Sequence, residues 1–186
     1  MSVNPASTEP RELMNASAIA DALDAIVRAI SQRNGSLDAI ALVGIRTGGL
    51  DLAVRLQRAM RAGGVTVPLG AIDIALYRDD VFEGLPRPEV GSTDLPFSLP
   101  GKIVVLVDDV LYTGRTVRAA LDALVDFGRP RAVELAALVD RGHRELPIQA
   151  DFVGLRVETA RDEQVKVLLE ERDGVDRVIL RKRGLG

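Results

Sequence analysis

Two adjacent carboxylates, Asp108 and Asp109, close a continuous apolar run, and the turn Thr113-Gly114-Arg115-Thr116 follows three residues later. The run, Ile103 with Val104, Val105, Leu106 and Val107, is apolar and mostly β-branched without alternation. That pattern predicts a strand buried on both faces of a mostly parallel sheet. In open α/β sheets ligands bind beyond the C-terminal ends of the strands, where the strand-to-helix loops gather. Val110, Leu111 and Tyr112 separate the acids from the turn, which brings two hydroxyls and a glycine that lets backbone N–H groups point inward. A helix then begins, with Val117, Ala120, Leu121 and Leu124 on one face and Gly128 as its stop. Free N–H groups and Thr hydroxyls at a helix start make an anion site, most naturally for phosphate. The two carboxylates would repel phosphate, but they would accept hydrogen bonds from vicinal ribose hydroxyls, at roughly 1.5 to 3 kcal/mol each. A sugar 5-phosphate satisfies both groups at once. An ordinary acidic helix cap would need one carboxylate, not two placed ahead of a separate turn.

A second unit of the same kind lies upstream. Ala39 to Val43 is a short apolar strand, Gly44-Ile45-Arg46-Thr47-Gly48-Gly49 is a glycine-rich loop, and a helix is predicted from Leu50 to about Arg61. Amides at Thr47, Gly48 and Gly49 would suit a second anion, with Arg46 adding charge. Taken alone, the loop reads equally well as a tight turn between strand and helix.

Four apolar residues, two acids, three further residues and Thr-Gly-x-Thr resemble the phosphoribosyl pyrophosphate (PRPP) signature of the type I phosphoribosyltransferases. The later segment Leu138-Val-Asp-Arg-Gly-His-Arg-Glu-Leu-Pro-Ile148 narrows the resemblance to PyrR, the pyrimidine operon regulators that are also uracil phosphoribosyltransferases. The likeness runs from about Leu13 to Leu180. It implies an α/β fold, a mostly parallel sheet flanked by helices with a small β-rich hood. It implies transfer of uracil to PRPP, giving UMP and pyrophosphate, in a homodimer or higher homo-oligomer. Val104 to Thr116 would hold PRPP or UMP, Arg46 to Gly49 the pyrophosphate, and Arg141 and Val165 the uracil. Mg²⁺ would arrive with PRPP near Asp108 and Asp109, without a dedicated protein cage. Arg78 would meet pyrophosphate under a flexible lid, although it could equally pair with Asp79 or Asp80. Arg28, His143, Arg144 and Arg156 would form an RNA face toward a pyrimidine operon leader.

The chain departs from that pattern in places. Gly48 stands where many PyrR proteins have Arg, and Tyr112 where purine-specific relatives have a carboxylate that handles a base proton. Asp21, Asp24 and Ala25 in the first helix, with Gln149 and Leu155 later, replace basic side chains common on the RNA face. Weak or differently placed RNA binding is therefore expected, since phosphate contacts supply much of the affinity in such complexes. Two other classes stay open: a protein that is chiefly an RNA-binding regulator sensing UMP, and a nucleotide sensor that has lost catalysis.

The elements that must position these groups fit one domain. The chain has 186 residues, 47% of them hydrophobic, no Cys, and a formal net charge of -3. That suffices for one core, excludes a disulfide framework or thiolate metal site, and is the composition expected in a reducing cytoplasm. A lone His143 gives no metal site. A disordered tail is expected over residues 1–12 and the phosphoribosyltransferase domain over 13–186. Ser17 to Arg33 should be an amphipathic helix, Ala71 to Tyr77 and Ala132 to Val139 strands, and 78–100 a lid. Asp151 to Val157, Gln164 to Leu169 and Arg177 to Leu180 read as strands, the last two joined by a turn at Asp173-Gly174, in a hood spanning largely 140–180.

Overall fold

In the computed structural model, which describes residues 10–46, 48–75, 77 and 93–182, the apolar run becomes the middle strand of a five-stranded parallel sheet. In chain order the elements are β1 (Arg11–Asn15), α1 (Ala16–Asn34), β2 (Ile40–Ile45), α2 (Gly48–Ala62), β3 (Leu69–Ile72) and β4 (Ile103–Leu111). There follow α3 (Arg115–Val125), β5 (Ala132–Asp140), β6 (Phe152–Arg156), β7 (Glu163–Leu168), α4 (Glu170–Asp173) and β8 (Arg177–Lys182). The parallel sheet is ordered β3-β2-β4-β5-β6, and a second, antiparallel sheet is ordered β1-β8-β7.

Both faces of the parallel sheet are covered, which is why its central strands are apolar without alternation. Val105 and Val107 of β4 pack into one core with Ile19, Leu23, Ile26 and Ile30 of α1 and Leu52 and Leu56 of α2. Val104 and Leu106 pack into another with Val117, Ala120 and Leu124 of α3. The α1 stripe is the predicted one; its start is capped by Asn15, whose side chain accepts from the Ala18 amide at 2.9 Å, and its end by Gly35 at φ 69°.

The order of strands sets the site. From β2 the chain goes through α2 to β3 on one side, and from β4 through α3 to β5 on the other. The strand order therefore reverses between β2 and β4, and a crevice opens beyond their C-terminal ends.

Several boundaries differ from expectation. The sheet strand before the lid is only Leu69–Ile72, and β4 continues through the two acids to Leu111 because β5 stays paired with it as far as Leu111 opposite Asp140. On its other edge the ladder with β2 stops at Val107. Residues 151–157 do not belong to the hood: β6 extends the parallel sheet beside β5. The hood is instead completed by β1, so Arg11 and Glu12, expected in the tail, are paired with Leu180 and Ile179. The end of the expected lid, residues 93–100, is packed: Asp94 pairs with Ala71 and Leu99 is fully buried. Between β7 and β8 the turn is one short helix closed by Gly174 at φ 68°. Thr47 and residues 78–92, including Arg78, lie outside the described residues. Among the described residues no helix is long and apolar enough to cross a membrane.

Candidate active site

Asp108 and Asp109 sit where β4 has parted from β2 but still runs beside β5. Asp108 is buried, with Oδ1 accepting from the Asp109 amide at 3.0 Å, and Asp109 Oδ1 accepts from the Val110 amide at 2.9 Å. Together with Arg46, Gly48, Ile74, Val110, Thr116 and Arg172 they line a cleft of about 300 Å³. The sequence placed all of these in the site except Ile74 and Arg172.

The close fit of this region depends on two glycines. A Cβ on Gly49 would lie 2.0 Å from the Val107 carbonyl oxygen, and one on Gly48 would lie 2.2 Å from Asp109 Oδ2. Only glycine lets the start of α2 approach the end of β4 this closely. Both residues belong to the first turn of α2, not to a separate loop, so their amides are at a helix N-terminus. Arg46 Nε is buried without a hydrogen-bond partner among the described residues. A buried donor left unpaired is costly, about 1 to 3 kcal/mol, so Arg46 Nε is a donor suited to an anionic ligand.

The second anion element, Thr113 to Thr116, opens α3 through Gly114 at φ 92° with no side-chain cap. Its backbone is fixed from behind: the Thr113 carbonyl accepts from Glu145 and Leu146 amides at 2.9 and 3.2 Å, and Arg115 pairs with Glu145 at 2.7 Å. Val104 to Val107 are buried in the sheet, and of the stretch 104–116 it is Asp108, Asp109, Val110 and Thr116 that line the cleft.

A larger cleft of about 630 Å³ lies beyond the C-terminal ends of β5 and β6, lined by Asp140 to His143 and Arg156 to Thr159. Arg141 is buried there, its guanidinium 4.1 Å above the Tyr112 ring and donating to Thr159 Oγ1 at 3.1 Å and the Ala160 carbonyl at 3.0 Å. It therefore fastens the β6 loop to the segment that leads into the phosphate turn. Glu158 and Thr159 had not been expected at the site; two polar residues directly after a strand were the available signal. Val165 is buried in the core beneath the hood and does not line this cleft, contrary to its expected contact with uracil.

Two residues assigned to an RNA face are occupied inside the protein. His143, at φ 59°, donates from Nε2 to the Thr159 carbonyl at 2.6 Å and meets the Tyr112 ring edge-on. Arg144 bonds the carbonyls of Ile148, Tyr112 and Gly142 and pairs with Asp140 at 2.6 Å. Burial pushes the Asp140 carboxyl up, but the Arg144 hydrogen bond, the Gly142 amide and the charges of Arg144 and Arg156 outweigh it and hold the group below its ordinary 3.8. Arg28 and Arg156 are exposed, on α1 and β6, which pack together.

This architecture is that of the phosphoribosyltransferases. The structure superposes on hypoxanthine phosphoribosyl transferase of Trypanosoma cruzi with TM-score 0.70 at 21% identity, covering 96% of this chain and 95% of that one. On a hypoxanthine-guanine phosphoribosyltransferase of Bacillus anthracis the TM-score is 0.62 at 18% identity, over 80% and 85% of the chains. Residues 13–171 match the phosphoribosyl transferase domain model. The chain belongs to the PyrR family: it is 58% identical over 170 residues to the "Bifunctional protein PyrR" of Thermus aquaticus, covering 91% of this chain and 94% of that protein. The protein of the same name from Chloroflexus aurantiacus is 53% identical over 171 residues, 91% of this chain and 94% of that one.

Proposed function

We propose that the protein transfers the ribose 5-phosphate of PRPP to uracil, giving UMP and pyrophosphate. The observation that carries this reading is the crevice between β2 and β4, which gathers two carboxylates, Thr116, two helix starts and Arg46 beside a second cleft at the ends of β5 and β6. The 5-phosphate takes the amides and hydroxyls of Thr113 to Thr116, and Asp108 and Asp109 accept from the ribose 2- and 3-hydroxyls. As the C1–pyrophosphate bond lengthens, the ribose becomes oxocarbenium-like and the two carboxylates stabilise it. The leaving pyrophosphate gathers charge at Arg46, the amides of Gly48 and Gly49 and, from outside the described residues, Thr47 and Arg78. Mg²⁺ enters as part of Mg-PRPP, and Asp108 and Asp109 lie near enough to the sugar to share in holding it, since this ion takes one or two carboxylates when phosphates and water complete its shell.

On this reading uracil binds at the larger cleft, whose wall Arg141 fixes through Tyr112 and Thr159. Tyr112 offers no carboxylate for a base proton; uracil N1 is acidic enough to react without one. Turnover assays with PRPP, Mg²⁺ and each pyrimidine and purine base test the assignment. Uracil should be the substrate, and turnover of guanine or orotate in its place would overturn it.

A regulatory role through RNA is kept as a second reading, with a weakened face. Gln149 and Leu155 bring no charge, His143 and Arg144 are committed to internal partners, and Arg28 and Arg156 remain for phosphate contacts.

A further inference from the structure

The turn taken for the 5-phosphate and the wall of the larger cleft meet at one side chain. Arg144 Nη1 donates to the Tyr112 carbonyl at 2.7 Å and to the Gly142 carbonyl at 3.1 Å, and Nε donates to the Ile148 carbonyl at 2.9 Å. Nη2 pairs with Asp140 Oδ1 at 2.6 Å. Each partner belongs to a different part of the site. Tyr112 directly precedes Thr113 to Thr116, and Asp140 and Gly142 line the larger cleft. Ile148 stands behind the turn, where a Cβ on Gly114 would lie 3.3 Å from the Ile148 Cβ.

The Arg144 side chain is 20% exposed and that of Asp140 15%, so these bonds are sheltered from much of the screening that weakens surface pairs. A guanidinium is also planar, and one that serves three carbonyls fixes them relative to one another. The turn does not need Arg144 in order to exist, because the Thr113 carbonyl keeps the Glu145 and Leu146 amides. What Arg144 adds is the position of the turn relative to the base cleft. That position matters because the sugar is held through its phosphate and the base is held separately. Their bond forms only where uracil N1 meets ribose C1, and an error of about 1 Å there costs on the order of 10²-fold in rate.

We propose that Arg144 is a positioning residue for the transfer: it sets the separation between the 5-phosphate turn and the base cleft. The inference deepens the phosphoribosyltransferase reading above and rests on it. UMP and the transition state span both parts and depend on that separation. Ribose 5-phosphate and PRPP carry no base and do not.

The test is to titrate the full chain with ribose 5-phosphate, Mg-PRPP and UMP, and to measure uracil turnover per PRPP-binding site. Arg144→Ala should weaken UMP and lower kcat per site by about tenfold or more each, with ribose 5-phosphate and PRPP affinities within about threefold of wild type. Arg144→Lys keeps the charge beside Asp140 without the planar fork. It should show the same split at a smaller size, which keeps the inference readable if the alanine variant does not fold. If Arg144 only stabilises the fold, Arg144→Ala will lower thermal stability, yet each remaining PRPP-binding site will bind UMP and turn over as in wild type, and the inference is overturned. An equal loss of all three ligands would also overturn it, because the turn itself would have given way. So would unchanged UMP affinity and kcat with weaker binding to the pyrimidine operon leader, which would return Arg144 to an RNA face. A wild-type protein that binds neither PRPP nor UMP would instead remove the underlying functional reading.

Discussion

The parallel sheet and the hood are built by different means, and the two halves of the substrate fall to different builders. In the sheet, β2 is buried along its whole length and β4 along most of it. The groups aimed at sugar and phosphate are backbone amides and short carboxylates, fixed by approaches so close that Gly49 has no room for a methyl group. In the hood, β7 and β8 alternate buried and exposed residues, and charged pairs do much of the fastening: Arg55 with Glu171 and Asp176, and Arg177 with Glu12 at 2.8 Å. The part of the substrate that never varies meets a scaffold that cannot shift. The hood brings one long side chain, Arg172, to the same cleft.

The sharpest break of this contrast is to remove the carboxylates. Asp108→Asn with Asp109→Asn should abolish measurable PRPP binding, a loss of about 3 to 6 kcal/mol from two charge-assisted bonds, with the circular dichroism spectrum unchanged. Retained PRPP affinity would mean that the sheet does not recognise the sugar in this way. Next comes rigidity itself. Gly49→Ala drives a methyl into the Val107 carbonyl, and thermal unfolding should show a loss of about 3 kcal/mol or more; a change of under about 1 kcal/mol would show the scaffold to be softer than claimed.

The hood should respond less and differently. Arg55→Ala should cost about 1 to 2 kcal/mol, because its pairs are only partly buried and solvent screens them. Hydrogen bonds from Arg55 hold Asp176 below its ordinary 3.8 and Glu171 below its ordinary 4.5, while burial works the other way. Groups with depressed folded values stabilise above their unfolded values and lose that contribution as pH falls through the folded ones. Protection factors for hydrogen exchange in β7 and β8 should therefore fall as pH drops below about 4.5, before those of β2 and β4, and Arg55→Ala should erase the acid step. If both sheets loosen together at acid pH, the contrast fails. The smallest effect is expected for RNA: titration against the leader of its own pyrimidine operon, with UMP, should be weak, and Arg28→Ala with Arg156→Ala should reduce the salt slope by about 2. Tight, sequence-specific binding would show that these two arginines suffice.

What could be read from sequence follows the same division. The apolar run into Asp108 and Asp109 is a local, redundant signal, and the structure places the strand, the acids and the helix start of α3 close to where the pattern puts them. The glycine-rich start of α2 was legible for its composition, although the helix claims Gly48 and Gly49. The hood was not legible in the same way. Of the five residues of β1, Met14 alone is buried, so no period marks it as a strand. The short apolar stretch of β6 cannot say which of two sheets the strand joins; its pairing with β5 is a tertiary fact. Arg172 lies in an acidic run, Glu170-Glu171-Arg172-Asp173, that reads as solvated surface, and only the fold brings it to the cleft that Asp109 also lines. Val165 was placed at the base through resemblance, and the register that pairs it with Leu180 turns it into the core instead.

The pairing of β1 with β8 has a consequence for how the chain comes into being. Arg11 lies opposite Leu180, so one hood strand leaves the ribosome ahead of the parallel sheet and its partner after it. The parallel sheet is complete in sequence by Arg156, but the hood cannot close before residues 177–182 have been made. Closing that long loop costs entropy that grows only slowly with its length, yet it must wait for the chain. During synthesis the sugar-phosphate cradle can therefore exist as structure before the hood does, and a nascent chain would reach the competence to hold a ribose phosphate before α4 and its Arg172 are in place.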